Sequence, residues 1–410
     1  RPAVNPPWDG GFSWKKDSTG KPWVAVSCEG VGASLWWPCK DHPSDEPDSV
    51  RIRCQVPSSL TCVANGNLRS KRAMPGGYAQ YDWFVSYPIN PYNVTLNIAD
   101  YAHFTDAYAG ADGAPLALDY YVLRANEKKA RQHFQQVKPM LACYEKYFGP
   151  YPFPRDGYAL VETPYWGMEH QSAVAYGNHY QNNAFGFDFI IVHESGHEWW
   201  GNSVSCRDHA ELWIHESFGT YAEALYVEDT QGYDTMLRYL EEKKERIKNQ
   251  HPILGPLSVN YHRWPDSDMY VKGTWMLHTL RNAIADDSLW FGLLRGLATD
   301  FRLQNITTEQ VIAYVNRKTG KDYTYFFDQY LRHAQPPTLE YQLWAKGRSV
   351  SLRYRWQADV KGFAMPIRVG FGKAYPTTTL QPTTAWQTIL LDGDQADFRV
   401  ATELFYVLTK

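Results

Sequence analysis

Three residues in one short run could hold a metal ion and work with it. In FIIVHESGHEWWGN, residues 189–202, His193 and His197 stand four apart with Glu194 beside the first. On an α-helix, positions i and i+4 lie one above the other, so both imidazoles can reach a single ion. The spacing is that of HExxH helices, in which two His bind zinc and the intervening Glu serves as a general base toward water. Catalytic zinc takes three protein ligands and leaves one position open, so a further His, Asp or Glu must come from elsewhere. Glu216 is the best-placed candidate, because eighteen residues separate it from His197, enough for a turn between two packed helices. The second helix is predicted from about Glu211 to Val227. His209 and His215 are the alternative ligands; the first is expected in the loop, and the second points about 100° away from Glu216 around the helix. A HExxHxxGxxH site is excluded, since Trp200 and Ser203 stand where it needs Gly and His.

These residues need a scaffold, and the 410 residues are long enough for two or three cores. With 44% hydrophobic and 21% charged residues the chain is an ordinary globular sequence, not a disordered one. A net charge of -3 argues against nucleic acid or an anionic membrane as partner. No run of eighteen apolar residues exists, so no membrane span is predicted. The sixteen Trp read as core and interface filler before they read as a sugar-binding surface. Six cysteines without a Cys-x-x-Cys pair are too sparse for a disulfide framework, which leaves compartment and localisation open. Cys206, near the metal helix, reads as a small buried residue. The chain opens on Arg1 with no signal segment, and so reads as a processed chain or a fragment.

Hydrophobic periodicity divides the chain in three. Residues 1–106 are β-rich: Val50, Ile52, Cys54 and Val56 alternate, as do Tyr81, Trp83 and Val85, then Val94, Leu96 and Ile98. Residues 107–334 are mainly helical after an initial strand LALDYYVL, with Pro139 expected to kink or restart a helical stretch from Asn126 to Phe148. The run MLRYLEEKKERIKNQ reads as a solvated helix face. Residues 335–410 alternate again as a small β-sandwich, with Asp392-Gly393 as a hairpin signal.

His193, Glu194, His197, Trp199, Gly201 and Asn202 resemble the HExxHxWxGN signature of the zinc aminopeptidases related to aminopeptidase N and leukotriene hydrolase. LWIHESFGTYAE resembles their third-ligand helix, and the likeness extends over nearly the whole chain. It implies an α+β multidomain fold: a partial N-terminal β domain (1–106), a thermolysin-like, mainly helical catalytic domain (107–334) and a C-terminal β-sandwich (335–410). The large helical domain that caps many relatives is absent from this sequence, and the N-terminal domain is about half the family's size. Its open half-sheet would leave edges to be covered, so a missing N-terminal segment is expected.

The resemblance also implies roles. One zinc ion per chain would be held by His193, His197 and Glu216, with Glu194 as the general base. WGMEH, residues 166–170, resembles the family's GxMEN segment, so Glu169 would bind the substrate's free α-amine while Gly167 and Met168 pair with the peptide as an added strand. Trp166 and His170 depart from the usual Gly and Asn; Trp166 is expected to alter the wall of the first side-chain pocket, and His170 to be either a packed, hydrogen-bonded residue or a catalytic one. Glu29 falls where the family carries a second amine-binding residue, although by itself it reads as a surface carboxylate. Tyr270, in DMYVKG, falls where the family has its transition-state tyrosine. The expected substrate is a peptide with a free N-terminus. An endopeptidase would need no amine-binding carboxylates, and a non-catalytic peptide-binding scaffold would be expected to lose ligands.

Overall fold

The computed structural model describes residues 10–111, 113–372 and 376–410, so the first nine residues of the expected N-terminal domain lie outside it. Two small antiparallel sheets follow. Strands Gly11–Lys16, Pro22–Ser27, Leu96–Ala99 and Thr61–Ala64 lie side by side in that order. Val50–Pro57 and Asn67–Met74 flank Tyr78–Val85 in the second. Tyr81 and Trp83 bury their rings there and spend their polar tips on the Leu60 and Cys62 carbonyls, at 3.2 and 3.1 Å. Cys54 and Cys62 form a disulfide, a single bridge beside four free cysteines. Among the described residues, Gly11–Lys16 pairs on one side only and leaves Trp14 exposed.

A five-stranded mixed sheet joins this region to the helices, in the order Gly167–Met168, Val174–Tyr176, Tyr158–Glu162, Pro115–Leu123, Tyr101–Ala109. Its two-residue edge strand pairs on one side only among the described residues. Nine α-helices occur among the described residues: α1 (Glu127–His133), α2 (Val137–Phe148), α3 (Phe189–Gly196), α4 (Trp213–Gln231), α5 (Tyr233–Lys244), α6 (Asp268–Ile284), α7 (Asp287–Asp300), α8 (Thr308–Thr319) and α9 (Thr324–Arg332). Pro139 cannot bond the carbonyl four residues back, and the stretch before it tightens to a 3-10 turn at Phe134–Gln136 that separates α1 from α2. α3 is buried along nearly its whole length, its polar residues included; Asp188 caps it by accepting the amides of Ile190 and Ile191, at 3.0 and 3.4 Å. α4 packs against α3, α5 and α6. Gly232, at φ 89°, is the whole connection between α4 and α5, a left-handed corner that turns α5 back across α4.

The C-terminal region is two facing sheets. Gln387–Asp392, Ser349–Gln357, Thr338–Lys346 and Leu408–Thr409 form one, and Thr378–Leu380, Ile367–Phe371 and Phe398–Val400 the other. Leu339, Leu352, Trp356, Ile367 and Val369 fill the space between them and continue into the helical core as one buried cluster. Asp392-Gly393 is not a hairpin turn. Gln387–Asp392 pairs with Ser349–Gln357, whereas Phe398–Val400 pairs with Ile367–Phe371, so the corner crosses from one sheet to the other. A side chain at Gly393 would strike the Phe371 ring, which explains the glycine by packing and not by hairpin geometry. The chain is thus of mixed α/β class, with N-terminal sheets, a helical middle and a C-terminal β region.

Candidate active site

α3 and α4 bring His193, His197 and Glu216 together. The two Nε2 atoms are 3.3 Å apart, and Glu216 Oε2 lies 3.6 Å from the first and 3.5 Å from the second. The other ring nitrogens are committed elsewhere. His193 Nδ1 is 2.7 Å from Glu223 Oε1, and His197 Nδ1 is 2.8 Å from the Trp200 carbonyl. Both partners only accept, so both Nδ1 atoms carry a proton, and in the neutral rings both Nε2 atoms present lone pairs. Three acceptors therefore converge in a buried spot with no donor between them, and Glu216 Oε2 has no hydrogen bond. A cation satisfies this arrangement. Zinc–nitrogen bonds of about 2.0–2.1 Å in a tetrahedron hold their ligand atoms roughly 3.3–3.4 Å apart, the spacing these donors already have.

The support behind His193 was not legible as a motif. Glu223 lies two turns along α4 from Glu216 and is fully buried. Burial would raise its carboxyl, but Lys243, 2.8 Å away, and His193 hold it down at about 2. Tyr239 also donates its hydroxyl to Glu223. Lys243 and Tyr239 are on α5, so the charged run expected to be a solvated face instead sends one lysine inward. The reason is electrostatic: a buried carboxylate needs a counter-charge, and the corner at Gly232 places α5 to supply one.

Glu194 projects from α3 toward the edge strand. A side chain at Gly167 would come within 2.4 Å of its Oε1, so the Gly167 backbone lies directly against the carboxylate. Burial pushes Glu194 up to about 8, with Glu169 adding to the rise and His193 and His197 opposing it. Met168 is buried under the strand. Tyr270, in the first turn of α6, faces His193 across 6.1 Å between ring centroids, and burial beside four glutamates keeps its phenol protonated.

Glu29 and Glu169 meet Glu216 on the other side, their carboxylate oxygens all within 4.8 Å of one another. Glu29 is half-buried in this cleft, not on an open surface. It sits beside Gly30, whose φ of 67° is open mainly to glycine, and the His209 ring fills the space a Gly30 side chain would take. His209 is thus a packing residue for the Glu29 turn. Glu169 accepts the Tyr92 hydroxyl at 2.7 Å, and Asn202 holds the Glu169 carbonyl at 2.8 Å. Burial and Glu216 raise the Glu169 carboxyl against the pull of His197 and Tyr92. Two carboxylates this close favour a shared cation.

His215 spends its Nε2 on the Cys206 amide at 2.8 Å, which removes it from the ligand set. His170 is buried and makes no hydrogen bond through either ring nitrogen among the described residues. Burial lowers it to about 3, so it is a neutral packed ring and not the hydrogen-bonded residue expected. His193, His197, Glu216, Glu194, Glu29, Glu169 and Tyr270 open on one cleft of about 890 Å³, lined also by Trp166, Phe189 and Lys243.

Among known domain families, residues 132–330 match the peptidase family M1 domain. Just under half of the chain is thus similar to a family M1 peptidase domain. Aminopeptidase B of Mus musculus is 24% identical over 319 residues, which are 72% of this chain and 46% of that protein. Probable aminopeptidase 1 of Saccharolobus solfataricus is 20% identical over 405 residues, 93% of this chain and 49% of its own. The chain thus spans about half the length of these curated relatives. Among solved structures, Legionella pneumophila aminopeptidase A, in complex with aspartic acid, superposes with a TM-score of 0.83 at 16% identity, covering 97% of this chain and 48% of that one. An M1 zinc metallopeptidase from Deinococcus radiodurans gives 0.66 at 21% identity, covering 80% and 72%. These likenesses show the M1 fold.

Glu223, Tyr239 and Lys243, within the matched segment, and Tyr92, outside it, contact the candidate site and are residues that sequence reasoning passed over. Only Glu223 left a signal, seven residues after Glu216 on the same helix face. Tyr92 comes from the N-terminal β region, 77 residues before the carboxylate it touches.

Proposed function

We propose that this chain is a zinc-dependent aminopeptidase that removes the first residue of a peptide. The observation that carries the reading is that Glu216 belongs to two groups at once, the His193–His197–Glu216 donors and the Glu29–Glu169–Glu216 carboxylates. A seat for an ammonium and a seat for a metal therefore adjoin, one residue's length apart, and only the first peptide bond can bridge them. The names of the two curated relatives given above, both aminopeptidases, agree with this reading.

The donor set fits zinc, which when bound supplies Lewis acidity toward the scissile carbonyl and toward the attacking water. Glu194, beside the metal donors but not one of them, takes that water's proton and passes it to the leaving nitrogen. Tyr270 donates its hydroxyl to the oxygen that gains charge. Glu169 and Glu29 hold the α-ammonium, and the Gly167–Met168 edge pairs with the peptide backbone. Glu223, fixed by Lys243 and Tyr239, keeps His193 in the tautomer that presents Nε2.

The test is a panel of aminoacyl chromogenic amides and peptides beside their N-acetylated counterparts, with metal content measured on the same samples. Free-amine substrates are expected to be cut at the first bond and acetylated ones left nearly intact; internal cleavage of acetylated peptides at equal rate would make the chain an endopeptidase. Glu169→Ala should lower kcat/KM on free-amine substrates about thirtyfold or more, the effect of breaking a hydrogen-bonded charge pair. Tyr92→Phe removes one donor to that carboxylate and should raise KM about tenfold, with kcat and metal content unchanged. A fall in kcat alone would place Tyr92 in the chemical step instead.

A further inference from the structure

Trp166 is a large aromatic residue left 60% exposed inside the cleft, and it is not loose. Its indole N–H donates to Asn178 Oδ1 at 2.9 Å, and its carbonyl accepts the Gly177 amide at 2.8 Å. Asn178 in turn donates to Asp188, the cap of α3, at 2.9 Å. The ring lies 5.5 Å from Phe189, which stacks on His193 at 5.2 Å. A row of aromatic faces therefore leads from the cleft rim to the metal donors, with its outermost member fixed to the same helix cap that positions them. An exposed indole held in one orientation is a preorganised contact surface, since little side-chain freedom is left to lose on binding.

The direction of the edge strand says which part of a ligand reaches it. The amine seat is at Glu169, the Glu194 carboxylate lies against Gly167, and Trp166 comes next. A peptide paired along this edge advances about 3.3 Å per residue, so its second residue, on the leaving side of the bond, lies over Trp166 and Phe189. We propose that Trp166 and Phe189 form a subsite for an aromatic side chain at the second position of the peptide, making Trp166 a determinant of leaving-group specificity. The inference rests on the aminopeptidase reading and adds a substrate class to it: peptides whose second residue is Phe, Tyr or Trp. It also moves Trp166 from the first side-chain pocket, where the sequence had put it, to the other side of the scissile bond.

The test uses the whole chain and the series Leu-Phe-Gly, Leu-Leu-Gly and Leu-Ala-Gly, with release of leucine as the readout. An aromatic pair contributes beyond its area, so the parent protein should favour Phe over Leu at the second position by about threefold to tenfold in kcat/KM. In Trp166→Gly that ratio should fall to about one, and in Asn178→Ala it should fall part of the way. Trp344→Ala, at an exposed tryptophan on the C-terminal sheet, should leave the ratio unchanged. An unchanged ratio in Trp166→Gly overturns the proposal, as does a discrimination that Trp166→Gly abolishes at the first residue, in Phe-Ala-Gly against Leu-Ala-Gly, instead of at the second. If the parent cuts none of these peptides, the aminopeptidase reading fails on its own. Calorimetric binding of the same peptides then decides the subsite: tighter binding of Leu-Phe-Gly than of Leu-Leu-Gly, lost in Trp166→Gly, supports it, and equal binding overturns it.

Discussion

Glu194→Gln is expected to keep its metal and lose kcat by about a hundredfold to ten-thousandfold, the range that a positioned general base contributes. The carboxylate lies outside the donor set and against the Gly167 backbone, where the peptide bond is to lie, so the amide preserves the shape of the site and removes only the proton acceptor. Glutamine keeps an acceptor oxygen that can orient water but cannot take its proton. Steady-state kinetics on an aminoacyl amide, with elemental analysis on the same protein, separates the two effects. KM should move little, because binding rests on Glu169, Glu29 and the strand edge. A variant that loses metal together with activity would make Glu194 a structural member of the donor cluster, and one that retains kcat would remove it from the chemistry.

The parts of this site that could be read from the sequence are those with local geometry. His193 and His197 share a helix face because the helix repeats every 3.6 residues, and Glu216 follows at a spacing that a two-helix corner accommodates. What could not be read depends on distant segments meeting. Lys243 looks solvated in any window around it, and becomes the counter-ion of Glu223 only because one glycine turns α5 across α4. Tyr92 reaches Glu169 through the packing of an N-terminal segment on the edge strand, a contact with no sequence period. Asp392-Gly393 misled for the same reason: two alternating runs around a turn signal look like a hairpin whether or not they belong to one sheet. The general class, sheets before and after a helical middle, was legible because the periods of 2 and 3.6 change along the chain.

The second large effect is expected at Glu216, and it separates metal binding from catalysis. Glu216→Gln replaces the one anionic donor by a neutral amide of nearly the same shape, so bound metal should fall to a small fraction and activity with it. The same change should be visible without any substrate. A metal held only by the folded chain stabilises it by about 4 kcal/mol at a thousandfold excess over Kd, so a chelator should lower the melting temperature of the parent protein. Stripping the metal leaves His193 Nε2, His197 Nε2 and Glu216 Oε2 as buried acceptors facing one another, which adds to the loss. Glu216→Gln should show no such chelator response, because there is little metal to remove. Its melting temperature should instead lie near that of the stripped parent, since the glutamine amide can donate to one of the bare nitrogens and relieve part of the conflict. Full metal occupancy in Glu216→Gln would assign the third donor elsewhere. The nearest alternatives are the carboxylates that share its oxygen cluster, Glu169 and Glu29, and the ammonium seat would then have to move with it.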